Sequence, residues 1–330
     1  MRKYTWAAAF SAALLCFTLA TLLDAFVWER EFATPAPSLP FSSPTLSSAP
    51  PPASPSSAPP SAVPPQSPEV SDEPDPPKSP EPILTDMSYI DGDIAIVIER
   101  VEQYGAVYYV ADVVLSDPSL LMTAFAKGKY GRNITQRTSV MAGENNAIFA
   151  VNGDYYGFRN SGLIIRNGVF YRDVPRRSPD NTSAVIDANG DMFVVTEGQV
   201  SGQGLSANGA WQSFSFGPAL IDGGVKTAYA AAGTRSKHPR TAFGQAGPLH
   251  YVFVVVDGRT SESSGMSFSV LADVLAERGC HVAYNLDGGG SSCMWFNGKV
   301  VNTPSDGTKI GERAISDIIY IPASLAGDAQ

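Results

Sequence analysis

Four stretches of this chain place carboxylates, amides and arginines directly behind apolar runs, where strand ends present groups to a pocket. The first, AVNGDYYGFRNSG from Ala150, offers Asn152, Asp154, Tyr155, Tyr156 and Arg159. The second, HPRTAFG, brings His238 and Arg240, and the third, VVVDGRT, brings Asp257 and Arg259. The fourth, YNLDGGGSSC, holds Asn285, Asp287, Gly288, Gly289, Gly290 and Ser291. Strand ends that carry carboxylates, amides and arginines could converge on one pocket, the usual home of binding and catalytic groups. The glycine stretch exceeds a two-residue hairpin loop. Without Cβ atoms it could let backbone N–H groups meet a ligand. Singly, each Asn-Gly or Asp-Gly reads as an ordinary turn, and Arg240 could simply pair with a carboxylate at a strand end. Their joint occurrence is what points to a site.

Other chemistries find no support. The glycine loop lacks the Gly-Lys-Ser/Thr ending of a phosphate-binding P-loop. There is no Gly-x-Ser-x-Gly elbow, and with only three histidines a serine triad has little to draw on. No His-x-x-x-His or Cys-x-x-Cys pair marks zinc. The aspartates could take Ca²⁺ or Mg²⁺, but no ligand-spaced loop is present. The sequence requires no cofactor, and the metal question stays open. With 23 basic against 32 acidic residues and no basic cluster, nucleic acid is not an expected partner.

The elements that must position these residues are mostly strands. DIAIVIERV (93–101), AVYYVADVVL (106–115), NAIFAVNG (146–153), LHYVFVVVDG (249–258) and AISDIIYI (314–321) are rich in β-branched and aromatic residues. LIIRNGVFYRD and SAVIDANGDMFVV place Asn-Gly between apolar runs and predict hairpins. Helices are predicted at TSVMAGENN and at SFSVLADVLAERG, the latter stopped by Gly279. The reading is an α+β domain, mainly mixed or antiparallel sheet with a few covering helices. Cys280 and Cys293 flank the glycine loop and could form a disulfide between paired strands.

Three regions follow from composition. In residues 1–28, Arg2 and Lys3 precede an uncharged run from Tyr4 to Leu23, expected as a membrane anchor with the rest of the chain outside. A cleaved signal peptide, and hence secretion, is the competing reading. Residues 29–82 form a Pro/Ser-rich, disordered linker: eighteen of the 26 prolines fall between Ala33 and Pro82, so this stretch builds no core. Its expected role is a spacer. Residues 83–330 are the globular block.

Seven motifs in order, AVNGDYYGF, GLIIRNG, HPRTAFG, VVVDGR, NLDGGGSS, NGKVVNTPSDG and GERAISDIIYI, resemble the phosphodiester glycosidase family across residues 90–322. Cys293 stands where a threonine or small residue is expected. The resemblance implies cleavage of a glycosidic bond in a sugar-1-phosphodiester of the N-acetylglucosamine-1-phosphate type. The expected partner is an envelope glycopolymer or glycoconjugate. It makes Asp287, Asp257 and Asp154 candidate carboxylates and Arg240 a phosphate-holding group. Asn152, Tyr155, His238, Arg259, Asn285, Gly288, Gly289, Gly290 and Ser291 become expected substrate contacts. A non-catalytic glycopolymer-binding module and a metal-dependent phosphodiesterase are the alternatives.

Overall fold

The computed structural model describes residues 5–34, 81–178, 181–232 and 236–323. Helix α1 (Thr5–Phe26) comes first. The globular block then runs through β1 (Ile94–Gln103), β2 (Ala106–Leu115), β3 (Met122–Phe125), helix α2 (Thr138–Glu144) and β4 (Ala147–Asn152). Next come β5 (Gly162–Arg166), β6 (Val169–Val174), β7 (Thr182–Asp187), β8 (Met192–Thr196), β9 (Ala210–Phe214) and β10 (Ala219–Asp222). The chain closes with β11 (Arg240–Gly247), β12 (His250–Val256), helix α3 (Phe268–Glu277), β13 (Val282–Asn285), β14 (Met294–Phe296) and β15 (Asp317–Pro322).

Nine strands form the large sheet, whose centre reads β10-β13-β11-β12-β2-β1, with short strands at both edges. A five-stranded sheet holds β14-β4-β15-β3 with one short edge strand, and β8-β7-β9 form a third sheet. The paired strands of the two main sheets all run antiparallel. Period-two alternation explains the layering. In β12, Tyr251, Phe253 and Val255 face a core shared with Phe149, Val151, Met294 and Ile319 of the smaller sheet. The intervening Val252, Val254 and Val256 face α3 through Leu271 and Leu275. On the far side, α2 covers the smaller sheet, with Met141 and Ala142 against Ala150, Trp295 and Ile318. The order is helix, sheet, sheet, helix. Each fully buried side chain of this kind contributes about 1.5–3 kcal/mol.

Both predicted helices form. Ser267 caps α3 by accepting from the Val270 N–H at 3.4 Å, and Gly279 follows it at φ +81°. The β5–β6 hairpin turns at Asn167-Gly168, both at positive φ, as a two-residue primed turn requires.

The glycine stretch is no hairpin. β13 belongs to the large sheet and β14 to the smaller one, so residues 286–293 carry the chain from one sheet to the other. For the same reason the disulfide does not form. Cys280 is buried on the α3 side of the large sheet, Cys293 sits at the start of the other sheet, and both are free thiols.

The segment expected as an anchor is helical, but among the described residues no helix is long and apolar enough to cross a membrane. Most of the expected linker lies outside the described residues. Its first part does not: Arg30–Glu31 pairs antiparallel with Gly131–Arg132 on the globular block.

Candidate functional site

Asp287 stands where the crossover leaves β13, 8% exposed. Its Oδ1 accepts from the Gly288 N–H at 2.8 Å and its Oδ2 from the Ser291 hydroxyl at 2.6 Å. The Arg313 guanidinium lies 3.5 Å from Oδ2 and donates to Ser291 Oγ at 2.7 Å and to the Gly288 carbonyl at 3.3 Å. Burial pushes the Asp287 carboxyl above the usual carboxylate range. The Ser291 hydroxyl, Arg313, the Gly288 N–H and the charge of Arg159 pull against it.

Arginines from separate segments converge on this loop. A Cβ on Gly288 would lie 3.6 Å from Arg240 Cα and 2.9 Å from the Pro239 carbonyl. A Cβ on Gly289 would lie 3.1 Å from Arg259 Nη2, and one on Gly290 would collide with Asp306. The glycines therefore admit the protein's own neighbours. Of the loop's amides, those of Gly288, Gly289, Ser291 and Ser292 are bonded within the protein. What faces outward is side-chain charge. Arg240 lies 3.9 Å over the Phe268 ring centroid, and burial draws its pKa down to about 10. Arg159 lies over the Tyr155 and Phe216 rings at 5.6 Å and 5.4 Å. Tyr155, itself stacked on Phe158, and Arg259 both adopt left-handed backbone conformations at φ 68° and 62°. Non-glycine residues in that conformation often mark functional loops.

The other two candidate aspartates are engaged elsewhere. Asp154 is buried with Oδ1 3.0 Å from Arg166 Nη2, while its Oδ2 accepts from the Ser215 N–H at 2.7 Å. Arg166 also binds Asp317 Oδ2 at 2.8 Å, closing a buried Asp–Arg–Asp triad. Burial opposes ionisation of Asp154, but the Arg166 charge holds it below the usual range, and Asp317 takes the penalty at about 6. Asp257 is also buried, its Oδ1 accepting from Asn302 Nδ2 and the Thr303 N–H, each at 2.9 Å. It pins the segment running to Asp306. Burial raises its pKa.

The two asparagines brace the site from behind. Asn152 Nδ2 donates to the Asp287 carbonyl at 2.7 Å, and its Oδ1 accepts from Thr241 Oγ1 at 2.7 Å and from the Cys293 N–H at 3.2 Å. Asn285 Nδ2 donates to the Gly217 and Leu286 carbonyls, each at 2.8 Å, leaving its buried Oδ1 without a partner. His238 sits nearby with Nε2 2.5 Å from Ser236 Oγ, and partial burial, Arg240 and Arg259 lower its pKa. A cavity of about 410 Å³ opens alongside, lined by Arg176, Phe216, Gly217, Tyr229 and Phe268 among others. Two of its walls are therefore the rings under Arg159 and Arg240.

Arg313 and Asp306 are absent from the residues singled out in the sequence, although both fall within the quoted motifs. Arg313 Nη1 lies 3.6 Å from Asp306 Oδ1, so its guanidinium spans two carboxylates. The sign was an arginine placed just before the last strand. Among the described residues no group of three His, Cys, Asp or Glu side chains is placed to hold a metal ion.

The two main sheets are antiparallel, and the crossover loop between them holds one carboxylate among arginines. The phosphodiester glycosidase family profile matches residues 145–322, and the chain belongs to that family. That span includes every candidate residue. The chain is 36% identical over 197 residues to the SPβ prophage-derived uncharacterized protein YomE of Bacillus subtilis (strain 168). The match covers 57% of this chain and 30% of YomE, so this chain spans about a third of that relative. The catalytic domain of zebrafish N-acetylglucosamine-1-phosphodiester α-N-acetylglucosaminidase, auto-inhibited by its pro-peptide, superposes with TM-score 0.55. It is 22% identical, and the match covers 70% of this chain and 83% of that one, a likeness of fold.

Proposed function

We propose that this domain hydrolyses the glycosidic bond of a sugar-1-phosphodiester, of the N-acetylglucosamine-1-phosphate type, in a glycopolymer or glycoconjugate at the cell surface. The observation that carries this reading is Asp287, a nearly enclosed carboxylate with Arg313 on its oxygen and Arg240 and Arg259 against the same loop. A phosphate leaving group departs as a stable anion and needs its charge held more than it needs a proton. Arg240 and Arg313 suit that task. Asp287, oriented by Ser291 and the Gly288 N–H, suits attack on the anomeric carbon or activation of water. Tyr155, Phe216 and Arg159 form an aromatic and cationic rim fit for a sugar face.

The test is turnover of an N-acetylglucosamine-1-phosphodiester in ¹⁸O water. Free sugar carrying the label supports the proposal. Label in the phosphate instead means P–O cleavage and a phosphodiesterase. Binding without any release of sugar means a glycopolymer-binding module.

A further inference from the structure

We infer that residues 24–32 form an intramolecular clasp that holds the globular domain at the end of α1, so that this clasp, and not the length of the Pro/Ser-rich segment, sets the distance from α1 to the domain. Four kinds of contact carry this. Arg30 and Glu31 pair with Arg132 and Gly131 as an added strand, extended by the Phe32 N–H donating to the Tyr130 carbonyl at 2.9 Å. Carbonyls in the last turn of α1 and just beyond it are held from the domain: Arg132 Nη2 donates to Ala25 at 3.0 Å, and Asn133 Nδ2 donates to Trp28 at 3.1 Å. Lys127 and Lys129 meet Glu29 and Glu31 at 2.5 Å and 2.8 Å. Phe32 packs edge-on against Tyr130 with ring centroids 5.5 Å apart.

Gly131 fits the pairing: a Cβ there would collide with the Arg30 carbonyl, and also with Ile134 Cδ1 of the domain. The far end of the Pro/Ser-rich segment also stands on the domain, where Ile83–Leu84 pairs with Ser88–Ile90 at the edge of the large sheet. With both ends fixed on one body, the length of residues 35–80 cannot set the distance from α1 to the site.

Distances between spin labels in the full chain test this. Labels go on Val27→Cys and Val225→Cys, both exposed in the native chain, in a Cys16→Ser background; Cys280 and Cys293 are buried. The expected result is one narrow distance that does not move when residues 45–60 are deleted. In Gly131→Val the distribution should broaden and follow the deletion. The Lys127→Glu/Lys129→Glu protein should do the same, and adding Glu29→Lys/Glu31→Lys should restore the narrow distance, so the test survives a misfolded Gly131 variant. A parent distribution that is broad and follows the deletion overturns the clasp. So does a narrow one that survives both Gly131→Val and the charge reversal. A distance that changes on dilution with unlabelled protein gives the pairing to a second copy and overturns the intramolecular assignment.

Discussion

Burial and positive charge act on the Asp287 proton in opposite senses, and burial dominates. The proposed chemistry needs the ionised carboxylate, so activity should fall as pH drops through its pKa. Because that pKa is raised, the acid limb of kcat/KM should lie above the ordinary aspartate value of about 3.9. An acid limb at or below that value would count against Asp287 as the working carboxylate. Asp287→Asn keeps the shape and loses the charge, so kcat should drop roughly 10²–10⁴-fold while substrate binding persists. Near wild-type turnover would leave Asp287 a turn residue. Arg313→Met should lower kcat roughly 10²–10³-fold with a phosphate leaving group. The loss should shrink with an activated aryl phosphate, whose departing charge needs less support. Equal losses with both leaving groups would assign Arg313 to positioning Ser291.

The elements that hold these residues are joined through the buried Asp154–Arg166–Asp317 triad, which ties β5, β15 and the turn after β4. Arg166→Met strands two buried carboxylates and should cost about 3–5 kcal/mol in denaturant unfolding. Asp317→Asn removes the carboxylate whose pKa burial raises to about 6 and leaves Arg166 paired with Asp154, so it should cost less. If the asparagine variant proves the more damaging, the triad is not balanced in this way. Strand identity was legible because alternation and β-branching are local: the run predicted at 106–115 forms as Ala106–Leu115. The Asn167-Gly168 turn was legible for the same reason. Which sheet a strand joins is not a local property. β13 and β14 look like hairpin partners across a polar loop, and only the two-sheet core separates them. Sequence likewise does not show Arg166, twelve residues on, reaching back to Asp154. Nor does sequence show Pro239, Arg259 and Asp306 filling the space beside the glycines.

Across the whole molecule, the three cysteines sample three different environments. Cys16 is exposed on α1, Cys280 lies in the layer between the large sheet and α3, and Cys293 lies at the crossover into the smaller sheet. Burial pushes the Cys280 thiol up to about 12 and raises Cys293 well above its ordinary value, so neither offers a reactive thiolate in the folded state. A thiol-reactive chromophore should therefore titrate one cysteine in native protein and three in denaturant. A disulfide between Cys280 and Cys293 would give one in both conditions. The rates carry a second message. Each buried thiol becomes reactive only when its own layer opens, and the two layers share the core built around Phe149 and Phe253. If that core makes the two sheets one cooperative unit, Cys280 and Cys293 should become reactive with the same opening free energy across sub-denaturing urea. Reaction of Cys293 at much lower urea than Cys280 would show that the crossover and the smaller sheet open alone. The carboxylate and arginines of the site would then sit on the less stable half of the molecule.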